Sequence, residues 1–139
     1  MTNYKGSCHC GAITVELETK TDPAEIEIRE CQCSFCRAHG AVSASDPNGR
    51  IRYIDREPGD IVRYRFGSKT CDFIICRHCG VYLGATMEDD GSLGYSTTQI
   101  KNFEDRDLFT KQAKHPDYEG EPLKDRLARR RRNWTPIAD

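Results

Sequence analysis

Long apolar runs are absent from this 139-residue sequence. No stretch approaches the roughly 18–20 consecutive apolar residues that a membrane-spanning helix needs, so we expect no span. The N-terminal stretch MTNYKGSCHCGAITVE also lacks the apolar segment and the cleavage motif of a secretory signal. We therefore expect a cytoplasmic protein whose thiols stay reduced.

Apolar residues are scarce throughout the chain. Hydrophobic residues make up 37% of it and charged residues 31%, with a single tryptophan. A chain of this length forms one domain, but its core must be small. Eight cysteines are present, and in a reducing compartment metal ligation explains them better than disulfides do. We expect a domain that bound metal helps to stabilise.

A strong net charge is also missing. The formal net charge is −1 at pH 7. Residues 120–139 contain six Lys or Arg and three Asp or Glu, so this segment carries +3 and the remainder carries −4. A nearly neutral protein with an acidic body lacks the positive surface of a general nucleic-acid-binding protein, so nucleic acid is not an expected partner.

Alternation of apolar and polar residues, which is typical of β-strands, dominates the first hundred residues. The clearest case is residues 12–18, where Ile13, Val15 and Leu17 share one face. Further strands are predicted at residues 24–29, 51–54, 61–66, 71–75, 81–87 and 92–97. A helical period is clear only at residues 123–132. The pattern predicts a mainly β domain over residues 3–105. It also predicts that residues 106–139 form a polar, basic C-terminal extension that is helical or irregular.

Two cysteine pairs end in glycine, CHCG at residues 8–11 and CRHCG at residues 76–80. In such turns backbone N–H groups point at sulfur, and glycine permits the positive φ angle that the turn often requires. We predict that Cys8, Cys10, Cys76 and Cys79 hold a structural zinc in a closed tetrahedral site. An iron–sulfur cluster and four free thiols are the alternatives.

Three further cysteines, Cys31, Cys33 and Cys36, lie within the six residues CQCSFC. A closed tetrahedral site needs a fourth ligand. His39 follows at a spacing that a turn can accommodate, whereas Cys71 lies in an apolar strand where core packing explains it better. If neither binds, three thiolates leave a position open to an exchangeable ligand, as in a catalytic metal site. Weak or absent metal binding is the remaining alternative.

The order and spacing of these motifs resemble a known family. GSCHCGAITVE, CQCSFCRAHGA and FIICRHCGVYLG are together similar to the glutathione-dependent formaldehyde-activating enzymes, a family that includes centromere protein V. The resemblance runs from about residue 4 to residue 103. It implies a zinc-stabilised β-tent fold of short antiparallel sheets with few helices. It also implies a structural zinc on Cys8, Cys10, Cys76 and Cys79. A second, more labile zinc is implied on Cys31, Cys33 and Cys36, hereafter the triad.

The activity implied by the resemblance is that of a carbon–sulfur lyase, which condenses glutathione with formaldehyde to S-hydroxymethylglutathione. Zinc held by three thiolates can accept a fourth, and it lowers the pKa of a thiol from about 8.5 towards neutrality. The expected cofactor is zinc at two sites, and the expected partners are a small-molecule thiol such as glutathione and an aldehyde. Arg37, beside the triad, either contacts a glutathione carboxylate or forms an ordinary surface ion pair.

A function of another class is a non-catalytic, zinc-stabilised binding module that uses the basic extension. The run RLARRRRNW contains four consecutive arginines and Trp134, which could contact phosphates and stack on a base. More often such a run is a solvated helix face or a flexible end. On that expectation, truncation after Phe109 would leave both zinc sites and most of the stability intact. An open triad favours the enzyme, and a triad closed by His39 favours the module.

Overall fold

Antiparallel strands make up most of the structure, a computed structural model that describes residues 1–138. The strands are β1 (Thr2–Ser7), β2 (Ile13–Thr19), β3 (Glu27–Arg29), β4 (Ser43–Ser45), β5 (Arg50–Asp55), β6 (Ile61–Tyr64), β7 (Asp72–Cys76), β8 (Tyr82–Asp89), β9 (Ser92–Gln99) and β10 (Thr135–Pro136). The α-helices are α1 (Ser34–His39) and α2 (Leu123–Asn133). Single turns of 3-10 helix occur at Pro23–Glu25, Ile100–Asn102 and Arg106–Leu108.

The strands form two sheets. The smaller has the order β1-β2-β5, and the larger has the order β3-β4-β9-β8-β7-β6. β10 pairs with β9 through Thr135 opposite Ser96 and Pro136 opposite Tyr95. No helix within residues 1–138 is both long and apolar enough to span a membrane. The prediction of a mainly β fold with antiparallel sheets and few helices is confirmed.

Two apolar clusters lie on opposite faces of the larger sheet. Ile74 and Phe73 are consecutive on β7 and so point to opposite faces; Ile74 belongs to the first cluster and Phe73 to the second. The first cluster joins the two sheets through residues such as Leu17 and Leu83, each at most 2% exposed. Burying each such side chain stabilises the fold by about 1.5–3 kcal/mol. The second cluster contains Cys36 of the triad.

One strand prediction was wrong in its first half. Residues 24–29 were expected to be extended throughout, but Pro23–Glu25 form a 3-10 turn and only Glu27–Arg29 form a strand. The Asp22 carboxylate accepts a hydrogen bond from the Ala24 N–H at 3.0 Å, and Pro23 has no N–H to donate to a sheet. Local capping therefore outweighed the alternating pattern there.

The C-terminal segment packs against the body of the protein. Trp134 is only 6% exposed and belongs to the second apolar cluster. β10 adds to β9 immediately after it. The expectation of a solvated or flexible end is therefore wrong. Truncation after Phe109 would remove a buried indole and a strand, so we now expect it to destabilise the fold and not to preserve most of the stability.

The arginines of α2 divide between two faces of the helix. Arg129 donates hydrogen bonds to both carboxylate oxygens of Glu121 at 3.0 Å, and its guanidinium lies 3.5 Å from the Tyr118 ring centroid. Arg130 is buried, with its guanidinium carbon 5.0 Å from the Trp134 ring. Arg132 is exposed. One face of the basic run is therefore part of the packed structure.

Candidate metal centres and the adjoining cavity

The two glycine-ended cysteine pairs converge on one point. Cys8 follows β1 and Cys76 ends β7, and the four sulfur atoms of Cys8, Cys10, Cys76 and Cys79 lie within 4.8 Å of one another. The Cys10 sulfur is 3.7 Å from that of Cys8 and 3.6 Å from that of Cys76. A regular tetrahedron with Zn–S bonds of about 2.3 Å has its sulfur atoms about 3.8 Å apart. The cluster therefore fits a zinc ion.

The two turns have matching backbone patterns. The Cys8 N–H donates to the Ile13 carbonyl at 3.0 Å, and the Cys76 N–H donates to the Val81 carbonyl at 3.0 Å. Gly11 and Gly80 have φ angles of +83° and +77°, a region that other residues adopt only with strain. The positive φ expected from the sequence is thus present in both turns.

Hydrogen bonds favour a thiolate at Cys79 in the first cluster, whereas burial and the neighbouring thiols raise the pKa of Cys10 to about 11. The Ile13 N–H donates to the Cys8 sulfur at 3.3 Å. Burial alone would raise the pKa of the Cys79 thiol, but hydrogen bonds from the backbone at Cys10 and Val81 and from the neighbouring thiols outweigh it and hold that pKa at about 6. A site that already stabilises a thiolate near neutral pH is suited to a cation.

A buried carboxylate supports the second turn from behind. The Asp60 carboxylate accepts a hydrogen bond from the Glu57 N–H at 3.0 Å, and its other oxygen lies 2.7 Å from the His78 ring nitrogen Nε2. The Asp60 carbonyl accepts the Arg77 N–H at 2.8 Å. The hydrogen bond to His78 lowers the pKa of the Asp60 carboxyl. These contacts fix the backbone between Cys76 and Cys79.

The triad lies at the start of α1. Cys33 is the N-cap residue, and its sulfur accepts the Cys36 N–H at 3.4 Å. The sulfur atoms of Cys31, Cys33 and Cys36 all lie within 4.8 Å of one another. Cys36 is buried, whereas Cys31 and Cys33 are partly exposed. The helix was not predicted, but the convergence of the three thiols agrees with the predicted second site.

The three thiols of the triad shift one another's pKa values in opposite directions. Hydrogen bonds from Cys31 and Cys36 lower the pKa of Cys33 to about 2. The same contacts with Cys31 and Cys33 raise the pKa of Cys36. One thiolate is therefore held between two thiols, and a cation that binds here must displace the remaining protons.

No fourth ligand completes the triad within residues 1–138. Neither the His39 imidazole nor the Cys71 thiol joins the group of atoms that lie within 4.8 Å of one another. His39 is exposed and its ring lies 4.5 Å from that of Phe35. Cys71 is 7% exposed in the second apolar cluster, as core packing requires, and burial raises its pKa. Of the alternatives left open by the sequence, the three-ligand arrangement is the one that these contacts favour.

A cavity of about 400 Å³ adjoins the triad. All three triad cysteines line it, together with the aromatic side chains of Phe73, Tyr82 and Trp134. Tyr82 is 6% exposed, and burial raises its pKa well above the usual value. The other lining residues are mostly polar or charged and include five arginines, so the cavity combines the size of a small-molecule site with a positively charged wall.

The sequence profile of the glutathione-dependent formaldehyde-activating enzyme family matches residues 3–118. This chain belongs to that family. A Rhodobacter sphaeroides protein of known crystal structure is also similar, with 30% sequence identity and a TM-score of 0.57. The similarity covers 79% of this chain and 99% of that one. The resemblance inferred from the cysteine motifs is confirmed.

Part of the cavity in this family member comes from beyond the matched residues. The profile ends at residue 118, whereas Arg126, Arg129, Arg130 and Trp134 also line the cavity. Sequence reasoning assigned these residues to a solvated end. A usable signal was present: Leu127, Arg130 and Trp134 recur at intervals of three and four residues, which places them on one helix face, and all three contribute to the packed structure.

Proposed function

We propose that this family member binds zinc at both cysteine clusters and condenses the thiol of glutathione with formaldehyde. One observation carries the proposal: three sulfur atoms lie within 4.8 Å of one another beside a cavity of about 400 Å³, with no fourth protein ligand in residues 1–138. A closed structural site would have four ligands, as the cluster of Cys8, Cys10, Cys76 and Cys79 does. The triad is the site at which chemistry is proposed.

The reaction replaces an S–H bond and the π bond of the carbonyl group with an S–C bond and an O–H bond. The S–H bond of glutathione breaks, the sulfur bonds to the carbon of formaldehyde, and the carbonyl oxygen takes up a proton. No oxidant or reductant is needed. Zinc held by Cys31, Cys33 and Cys36 would supply a binding position for thiolate and lower the pKa of the incoming thiol.

The cavity walls supply positioning and a hydrogen-bond donor. Phe73 and Trp134 are 8% and 6% exposed, and their apolar surfaces keep water away from the nucleophile. Tyr82 has its pKa raised by burial, so its hydroxyl stays protonated. We assign it the role of hydrogen-bond donor to the aldehyde oxygen, where negative charge develops as the S–C bond forms.

The binding-module alternative has less support. It required either a triad closed by His39 or a free basic tail, but His39 packs against Phe35 and the Trp134 indole is buried. A buried indole is not available to stack on a base.

The direct test measures exchange between free formaldehyde and its glutathione adduct at equilibrium, using carbon-13-labelled formaldehyde and NMR. Zinc-loaded wild type should accelerate the exchange in both directions. Cys33→Ser should abolish the acceleration, and His39→Ala should keep it, because His39 is exposed and outside the triad. Tyr82→Phe should lower the rate about 10- to 100-fold while zinc content stays constant. Wild-type exchange no faster than the uncatalysed exchange would refute the proposal.

A further inference from the structure

Two arginines in the cavity wall are buried without a carboxylate partner. Arg29, on β3, is 7% exposed, and Arg130, on α2, is 9% exposed. Both line the cavity beside the triad. No carboxylate of residues 1–138 forms an ion pair with either guanidinium, whereas the cavity residues Arg126 and Arg129 both pair with Glu121.

The contacts of the two buried guanidinium groups are neutral. Arg130 donates from one terminal nitrogen to the Thr70 hydroxyl at 2.8 Å, with the Met87 sulfur 3.9 Å away. Its Nε is buried and has no hydrogen-bond partner within residues 1–138. Arg29 donates to the Ser45 hydroxyl. These neutral contacts orient the guanidinium groups, and the carboxylates of Glu27 and Glu121 act on them only from beyond ion-pair distance.

Burying a cation without a counter-ion is energetically unfavourable. A zinc ion with three thiolates carries one net negative charge, which cannot balance two guanidinium groups. The acidic side chains that line the cavity, Asp117 and Glu119, are exposed. The deep part of the cavity therefore has an excess of positive charge, and an anion bound there would compensate it.

We infer that Arg29 and Arg130 form a carboxylate-binding subsite that selects thiol substrates bearing a carboxylate. The inference rests on the proposed function and extends it to substrate recognition. A guanidinium group binds a carboxylate through two parallel hydrogen bonds, a geometry that an ammonium group cannot reproduce. Glutathione carries a thiol and two carboxylates, which matches a cavity lined by both the triad and the two arginines.

The subsite joins two distant parts of the chain. Arg29 lies within the residues matched by the family profile, and Arg130 lies beyond residue 118, where the match ends. α2 therefore supplies half of the recognition and also closes the cavity. Arg37, the residue that the sequence suggested for this role, also lines the cavity but is exposed, so its charge is already solvated.

The test compares four ligands by titration calorimetry on the zinc-loaded protein. Glutathione has the thiol and the carboxylates, S-methylglutathione has only the carboxylates, glutathione diethyl ester has only the thiol, and 2-mercaptoethanol is a small uncharged thiol. Wild type should bind glutathione at least 10-fold more tightly than its diethyl ester. Equal affinity for glutathione and the ester would overturn the inference, and this comparison needs no variant.

Variants then assign the effect to the arginines. Arg130→Gln and Arg29→Gln should each lower the affinity for glutathione and S-methylglutathione roughly 10- to 100-fold. The affinities for the ester and for 2-mercaptoethanol should not change. Arg130→Lys should recover only part of the affinity, because lysine keeps the charge without the planar fork. The matched control is Arg132→Gln, which removes an exposed arginine of the same helix that does not line the cavity.

Failure of this inference is distinguishable from failure of the proposed function. If S-methylglutathione binds as tightly as glutathione and Arg130→Gln weakens both, carboxylate recognition stands and the thiol-binding role of the triad fails. If glutathione and its ester bind with equal affinity and both depend on Cys33, the triad role stands and the arginine subsite fails. An unchanged affinity for glutathione in folded Arg29→Gln and Arg130→Gln proteins would also overturn the subsite.

Discussion

Replacing Trp134 with alanine should strongly destabilise the protein. A tryptophan side chain buries roughly 150–250 Å², and at about 25 cal/mol per Å² its transfer from water is worth about 4–6 kcal/mol. Trp134 is 6% exposed and packs in the second apolar cluster. Nearly all of its side-chain area is therefore buried in the native protein, and the substitution removes that buried area. Allowing for what alanine retains, we expect a loss of about 3–5 kcal/mol.

That loss is large compared with the total stability of a small domain, which is about 5–15 kcal/mol. Denaturant unfolding of the zinc-loaded protein, followed by circular dichroism, measures it, and the midpoint of thermal unfolding should fall by roughly 10–20 °C. Leu123→Ala is the matched control on the same helix, because Leu123 is 51% exposed and its replacement should cost about 0.5 kcal/mol or less.

Fluorescence provides an independent check on the same reasoning. Trp134 is the only tryptophan, so wild-type emission should be blue-shifted and should move to the red on unfolding. Emission at the wavelength of free tryptophan in the native protein, or a Trp134→Ala variant within 1 kcal/mol of wild type, would show that the C-terminal segment is not docked in solution.

Three further predictions concern the metal centres and the tail. Cys79→Ser should lose one zinc per chain and several kcal/mol of folding free energy; wild-type zinc content by atomic absorption would contradict this. Zinc release to a colorimetric chelator should show two phases, with the fast phase absent in Cys33→Ser and unchanged in His39→Ala; a fast phase lost in His39→Ala would mean that the fourth ligand is internal. The hydrogen bond from Arg129 lowers the pKa of Glu121, so its contribution to stability is complete above the unfolded-state pKa of about 4.3 and is lost as pH falls through the lower folded-state pKa. Glu121→Gln should therefore make the unfolding free energy less dependent on pH below about pH 5, and an identical pH profile would refute that assignment.

The metal-binding turns could be predicted from the sequence because their determinants are local. CHCG and CRHCG each specify a turn with two thiols and a glycine, and the structure gives both glycines positive φ angles. The alternation in residues 12–18 likewise predicted β2, because its apolar face packs against the core. Where the apolar residues of a sequence pattern are also the residues that the fold buries, the sequence alone is sufficient to predict the element.

The cavity could not be predicted in the same way, because its walls come from distant segments. Arg29 and Arg130 are 101 positions apart in the sequence, and only the packing of α2 on the larger sheet brings both to one cavity. The arginine run also obscured its own periodicity, since four adjacent charges suggest a solvated face whichever residue points inward. Trp134 was the strongest available indication that one side of this helix is buried.

The pairing of β10 with β9 has a consequence for self-association. One edge of β9 is paired with β8, while the other is shared by β4 at Thr98 and Gln99 and by β10 at Tyr95 and Ser96. Proteolytic removal of β10 would leave the backbone donors and acceptors on that part of the β9 edge facing solvent. Such an exposed edge is a template for another chain. The C-terminal strand therefore protects the larger sheet against edge-to-edge aggregation.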